Sequence, residues 1–504
     1  MAFSGGCASC GNWLHNGFKV GPDYCKPAAP IADNWIDFND PRVISAPADD
    51  RAWWRVFRDP LLDSLVQTTY QGNLPLRSQG QRVLEYRALR AITAGNLLPQ
   101  FQNVDGFYKR AQISQNGNIA GVPLPNAAFD LWNFGPALQW ELDVWGRFRR
   151  RIEQADADLD KQVELYDDLL SIALADTARA YINIRAAEEF VRLAHQNVQI
   201  QQGSLKLAET RFKEGAVSEL DVTQAQSTLR ETKALIPSFQ RDLRQADLEL
   251  CTLMGIPMND LTPRLGDGSI PVVQTAVAVE IPAELMRRRP DIRAAERAVA
   301  SASAEIGVVA SDLYPHFYID GSFGWTANQF PDLFSPRAFG GIVGPSFRWD
   351  ILNYGRIQNN VRRFEARFQE AALDYQQTVL NANKEVEKAL IAFLKAQERA
   401  AELQGAVEAT RRSVDLAVIQ YREGAVDFER IFNLQNVLVR QQIDQAKARA
   451  EISLALIDVY RALRGGWQIR LEMPPGGPEI VAVGPGGADA VNGAERLPTP
   501  PPTK

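Results

Sequence analysis

The segment RFKEGAVSEL at Arg211–Leu220 returns 209 positions later as QYREGAVDFE at Gln420–Glu429. The match extends upstream at the same offset. FGPALQWELDVWGRFR (Phe134–Arg149) answers VGPSFRWDILNYGRIQ (Val343–Gln358), pairing Pro136, Trp140, Gly146 and Arg147 with Pro345, Trp349, Gly355 and Arg356. LLPQF (Leu97–Phe101) answers LYPHF (Leu313–Phe317) at an offset of 216, so the extra residues lie in the loop-like SQNGNIAGVPLPN of the first copy. The chain is an internal duplication whose period is too long for a solenoid.

Each copy has the same inner order. An Ala-rich helical segment leads into L-x-P-x-F, where proline stops the helix. Two aromatic, partly alternating runs follow: Phe101–Ile113 and Ala128–Leu142 in the first copy, Phe317–Ala327 and Phe339–Leu352 in the second. Gly/Asn/Pro-rich loops separate them, which predicts one β-hairpin per copy. A long helix is then expected from about Gly146 to Lys213 and from about Gly355 to Arg422.

Those helices carry a seam spaced alternately by three and four. It runs Ile184, Ala187, Val191, Ala194, Val198, Gln201, Leu205, Ala208, Phe212, and in the second copy Phe393, Ala396, Ala400, Leu403, Val407, Thr410, Val414, Ala417, Tyr421. Heptad spacing keeps a narrow apolar stripe against a partner helix. At 1.5 Å per residue each helix is roughly 100 Å long, a length that suits a tube or stalk rather than a globular core. Gly215 and Gly424 suit the left-handed residue that ends a helix, and Ser218 and Asp427 the N-cap of the next. Ser218-x-x-Asp221 resembles a capping box. The repeated turn is therefore a tight tip joining two antiparallel helices, which return to about Leu253 and Leu463.

Composition narrows the function. The 504 residues carry a net charge of −6, which gives no basis for a nucleic-acid partner. No run of eighteen apolar residues suggests a transmembrane helix, but the alternating strands of a membrane β-barrel escape such a scan. The three histidines (His15, His195, His316) are scattered, against a histidine-based catalytic or zinc site. Cys7-x-x-Cys10 lacks a second pair, and Cys251 lies in an apolar helical stretch as a small buried residue. Five methionines are too few for a dedicated soft-metal path. The expectation is a protein that is not an enzyme, with no cofactor and no metal. No hydrophobic signal region is recognisable at the N-terminus, so the export signal is expected to begin upstream or to be incomplete.

Four strands alone leave unpaired backbone groups in lipid, so closing a barrel needs several copies of the chain. The predicted organisation is 1–50, an export or anchor segment; 51–100, first-repeat helices; 101–142, first hairpin; and 143–280, first helical hairpin and connector with its tip at 214–218. The second repeat follows as helices at 281–315, hairpin at 316–352 and helical hairpin at 353–472 with its tip at 423–427, before a Pro/Gly-rich tail at 473–504 expected to be disordered.

LMRRRPDIRAAERAVASASAEIGVVASDLYP (Leu285–Pro315), VYRALRGGW (Val459–Trp467) and VGPDY (Val20–Tyr24) resemble the motifs of TolC-like outer membrane factors, the outer-membrane channels of tripartite efflux pumps. The resemblance covers about Val20 to Trp467. It implies a mixed α and β membrane protein: a homotrimer with four strands per chain in a twelve-stranded transmembrane β-barrel, a long coiled-coil-like α-helical barrel through the periplasm, and a mixed equatorial belt. It further implies outer-membrane lipid around the barrel, a periplasmic adaptor docking at the tips (Gly215, Ser218, Gly424, Asp427), and an inner-membrane pump of the RND type. The function implied is passive export of small molecules; an exit duct for a protein-secretion ABC exporter is the alternative, and a soluble coiled-coil scaffold a third, which the hairpins oppose.

The family holds its tunnel closed through a bond between positions matching Asp221 and Tyr421. Asp221 also suits a plain first-turn acid. Val426 stands where the family's best-known member has a gating arginine, and Arg430 and Asn433 stand where acidic aperture rings occur. Lipid-anchored relatives read Gly-Cys-x-Val-Gly-Pro; here Phe18 replaces that cysteine, leaving Cys7 and Cys10 as candidate acylation sites. Arg287, Arg288 and Arg289 read as a solvated equatorial surface, and Tyr108, Trp132 and Trp325 as a membrane-interface belt.

Overall fold

The computed structural model describes residues 13–14, 16–44, 51–112, 128–271, 276–279 and 282–472. Cys7, Cys10, His15, the 113–127 loop and the 473–504 tail lie outside the described residues. The elements follow the duplication. Helices α1 (Pro60–Gly72) and α2 (Leu74–Gly95) precede strands β1 (Phe101–Gln112) and β2 (Ala128–Leu142), then α3 (Arg147–Lys213) and α4 (Glu219–Met254). Helix α5 (Pro290–Ala310) precedes β3 (His316–Ala327) and β4 (Phe339–Arg348), then α6 (Arg356–Arg422) and α7 (Phe428–Leu463). Helices α3 and α6 both have 67 residues, and α4 and α7 both have 36. The last strand stops at Arg348 rather than Leu352, and Ile351 and Leu352 are left exposed. Pro237 lies inside α4, whereas its repeat counterpart in α7 is Ala446.

The described residues fall into two compact units. The first comprises Met1–Ala28, Leu84–Gln162 and Ala295–Tyr375. Its sheet is antiparallel in the order β1-β2-β3-β4. Because paired residues share a face, the register sorts the side chains. One face carries Val104, Tyr108, Trp132, Phe134, Leu138 and Trp140, continuing through Phe317, Ile319, Phe323, Trp325, Phe339, Val343 and Phe347. The other carries Asn103, Asp105, Asn133, Gln139, Glu141, His316, Asp320, Thr326, Ser346 and Arg348 together with Phe107, Leu131, Tyr318 and Ile342, while Arg110 and Asp130 pair on the first face near the hairpin loop.

The polar face is cross-linked between strands. Asn133 Nδ2 donates to Thr326 Oγ1 at 3.0 Å, Gln139 Nε2 to Asp320 Oδ1 at 2.9 Å, and Ser346 Oγ to Asp320 Oδ2 at 2.5 Å. His316 Nδ1 lies 2.8 Å from Glu141 Oε1. Apolar outside and polar inside is the pattern of a strand between lipid and a watery lumen. Among the described residues the outer edges of β1 and β4 have no strand partner. At the hairpin-loop end the rings cluster: Tyr108 and Trp132 are 4.5 Å apart, Trp132 and Phe330 5.0 Å, and Trp325 and Phe339 5.3 Å.

Two motif glycines explain their own presence in this unit. Gly21, at φ +86°, lies so close to Gly307 that a Cβ on it would sit 2.4 Å from the Gly307 Cα. Buried Arg150 fixes the same segment, donating to the Val20 carbonyl at 3.1 Å and to Asp23 at 3.1 Å. VGPDY and the glycine of AEIGVV thus form one backbone-to-backbone joint.

The second unit comprises Ala29–Val83, Val163–Ala294 and Gln376–Lys504. Here Arg289 corrects the surface reading: it is 1% exposed. Its guanidinium grips Asp291 through two bonds of 3.0 and 2.6 Å, reaches Glu385 at 2.9 Å and donates to the Ala462 carbonyl. Arg464, from RALRGGW, lies 2.6 Å from Asp168 and 3.8 Å from Asp291. Burial raises the Asp291 carboxyl, but the bonds and charge of Arg289 outweigh it and hold the group below its ordinary value. Burial prevails at Asp168, which is raised. Arg288 is exposed, and the Arg287 side chain lies outside the description. Cys251 is fully buried, as its apolar setting requires.

Candidate functional site

The two tips of the second unit share one backbone design. Gly215 (φ +72°) and Gly424 (φ +77°) take the left-handed conformation that a Cβ disfavours. The amide of Gly215 bonds the Phe212 carbonyl at 2.9 Å and that of Ala216 the Arg211 carbonyl at 2.9 Å; Gly424 to Tyr421 and Ala425 to Gln420 repeat this at 3.0 and 2.8 Å. These are the two bonds of a Schellman cap, which satisfy the last helical carbonyls.

Ser218 and Asp427 do occupy the N-caps of α4 and α7, with extended backbones, but neither side chain bonds a backbone amide. The capping box is therefore not formed. The Ser218 hydroxyl points to Asp221 instead, at 3.4 Å.

Asp221 and Tyr421 come together: the phenol donates to Asp221 Oδ2 at 3.2 Å. Tyr421 is 1% exposed and belongs to a buried cluster with Ala208, Ala225, Ala417, Phe428 and Ile431. Its ring meets Phe428 edge-on, with centroids 5.5 Å apart. Burial first, then the charge and bond of Asp221, push the phenol up to about 12, so it stays a donor at neutral pH.

A third group at this contact escaped the sequence reading. The Arg211 guanidinium lies 4.7 Å from the Tyr421 ring centroid and donates to the Tyr421 carbonyl. Cation–π attraction and a charge-assisted bond to a helix-terminal carbonyl act on one residue. The signal was a break in the repeat: Arg211-Phe212 faces Gln420-Tyr421 at the same offset. Phe212, expected in the apolar seam, is 44% exposed, and the buried seam of α3 ends at Ala208.

Above the tip, polar pairs tie α3 to α7. Gln435 Nε2 donates to Ser204 Oγ at 2.8 Å, and Asn197 Nδ2 to Gln442 Oε1 at 2.8 Å, all four residues being buried. Arg430 and Asn433 are exposed on α7, and among the described residues no ion pair joins Arg430 to Asp427 or Glu429.

The chain matches known proteins over most of its length. The outer membrane efflux protein family model matches residues 65–256 and 281–465. The pyoverdine export outer membrane protein OpmQ of Pseudomonas putida is 28% identical over 426 residues, covering 83% of this chain and 89% of its own. Outer membrane protein OprJ of Pseudomonas aeruginosa is 27% identical over 454 residues, covering 89% of this chain and 93% of its own. The solved outer-membrane channel OprN matches with a TM-score of 0.84 at 32% identity, covering 89% of this chain and 99% of that one. With its duplicated strand pairs, capped helical tips and motif joints in place, the chain belongs to the outer membrane efflux protein family.

Proposed function

We propose that three copies of this chain close a barrel in the outer membrane and form the exit duct of a tripartite efflux system. Small molecules pass through it from periplasm to exterior. The observation that carries this reading is the sheet with one mainly apolar face, one mainly polar, hydrogen-bonded face and, among the described residues, two edges without a strand partner. Such edges are satisfied in lipid only by pairing with another copy. The tips at Gly215, Ser218, Gly424 and Asp427 are assigned to a periplasmic adaptor, and an RND-type pump to the inner membrane beneath it.

Native mass in mild detergent is expected at three times the chain mass. A stable monomer in buffer without detergent overturns the duct. Cross-linked pull-down from cells should return an adaptor with a proton-driven pump; an ABC exporter in its place transfers the assignment to protein secretion.

Asp221, Tyr421 and Arg211 are proposed as the latch of the duct, and Arg430 with Asn433 as its aperture lining. Three copies of Arg430 at a constriction focus a positive field. The channel should therefore show little cation selectivity and resist plugging by multivalent cations. Reversal potentials across a salt gradient should shift toward cations on Arg430→Asp. An unchanged potential removes Arg430 from the aperture.

A further inference from the structure

The contact between the two repeats inside one chain is a template for the contact between chains. Strand β2, the second of the first repeat, pairs with β3, the first of the second repeat. The next such junction around a closed barrel joins β4 of one copy to β1 of its neighbour. In the strands themselves VDGFY (Val104–Tyr108) answers IDGSF (Ile319–Phe323) at an offset of 215, one fewer than LLPQF and LYPHF, so that in the register Phe101 stands where His316 does and Asp105 where Asp320 does. With this match the internal register of β1 on β2 equals that of β3 on β4: Gly106↔Phe134 corresponds to Gly321↔Val343.

Within the chain Gln139 stands opposite Asp320, and the two are hydrogen-bonded at 2.9 Å on the polar face. The repeat counterpart of Gln139 is Arg348 and that of Asp320 is Asp105. Both are exposed at the free edges, and among the described residues neither makes an ion pair within its own chain. An amide-to-carboxylate pair inside the chain is thus matched by a cation on one open edge and an anion on the other. We propose that β4 pairs antiparallel with β1 of a second copy in the register that sets Arg348 opposite Asp105, an ion pair at each seam of the barrel. This rests on the trimeric duct proposed above.

A second place in the molecule obeys the same operation. The buried pair Gln435–Ser204 has as its counterparts Gln226 and Ser413, 209 positions away, and both are exposed in the single chain. Gln226 of α4 is accordingly assigned to Ser413 of α6 in the neighbouring copy. Opposite charges placed directly across two strands attract, and one step of slippage would move every apolar side chain to the wrong face.

Cysteine cross-linking tests the register. Arg348→Cys with Asp105→Cys should give covalent dimers and trimers on mild oxidation, with single variants as controls for the native cysteines. Arg348→Cys with Asn103→Cys or Phe107→Cys keeps the face but displaces the pair by two residues. These controls should react about tenfold more slowly, since diagonal neighbours lie beyond disulfide reach. Gln226→Cys with Ser413→Cys should also link chains. Arg348→Asp should cut the fraction of trimer surviving sodium dodecyl sulfate, and adding Asp105→Arg should restore it. A parent of trimeric native mass that cross-links faster through position 103 or 107 overturns the register while the trimer stands. A monomeric parent overturns the trimer itself.

Discussion

Tyr421→Phe combined with Asp221→Ala should raise single-channel conductance in planar bilayers several-fold, because it removes the polar bond between α6 and α4 at the tip. The acceptor is a carboxylate and the phenol is buried, but at 3.2 Å the bond is long for its type, and it contributes about 1 kcal/mol per copy. Arg211→Ala should act in the same direction and add to the double variant, because its bond goes to the Tyr421 carbonyl and survives loss of the phenol oxygen. A double variant that conducts like the parent reduces Asp221 to a first-turn acid and moves the gate elsewhere. Alkaline titration gives an independent check. The folded phenol is raised from 10 to about 12, so its contribution is full below pH 10 and is lost as the pH climbs through 12. Conductance attributable to this contact should be flat up to pH 10 and rise only beyond it.

The second large effect is expected far from the tip. Arg289→Ala should cost about 3 kcal/mol and lower the yield of folded channel, because half-buried Asp291 loses its two-pronged partner and the Ala462 carbonyl its bond from the guanidinium. Arg289→Lys should recover only part of the loss, since an ammonium cannot reproduce the two-pronged grip on Asp291. Thermal melts in detergent report the difference. Wild-type stability in Arg289→Ala would mean that the network is replaceable by solvent.

Arg289 also shows where sequence reading ends. Three arginines before a proline look solvated, and the residues that bury the third are remote: Glu385 is 96 positions away and Ala462 173. The long helices, the strand pairs and the capped tips were legible because each rests on local periodicity or on a glycine with one backbone duty. The pairing of Asp221 with Tyr421 was legible only through family resemblance, being 200 positions apart. The heptad pattern hid Arg211 and the exposure of Phe212, since it records which residues are apolar and not which partner each one meets; only the break in the repeat at Arg211-Phe212 against Gln420-Tyr421 marked the place. The N-caps show a related limit. Residue type located Ser218 and Asp427 correctly, but type does not decide whether a hydroxyl turns to an amide or to a neighbouring carboxylate.

Pro237 gives the two returning helices different mechanics. It removes one i→i−4 hydrogen bond from α4, about 27 Å along the axis from Glu219, whereas Ala446 keeps that bond in α7. Kinks concentrate at such positions. Bending compliance is therefore placed in the first hairpin and withheld from the second. In the ring of three chains proposed above, soft and stiff hairpins would alternate, so a push on the tips would be absorbed at three points rather than spread over six.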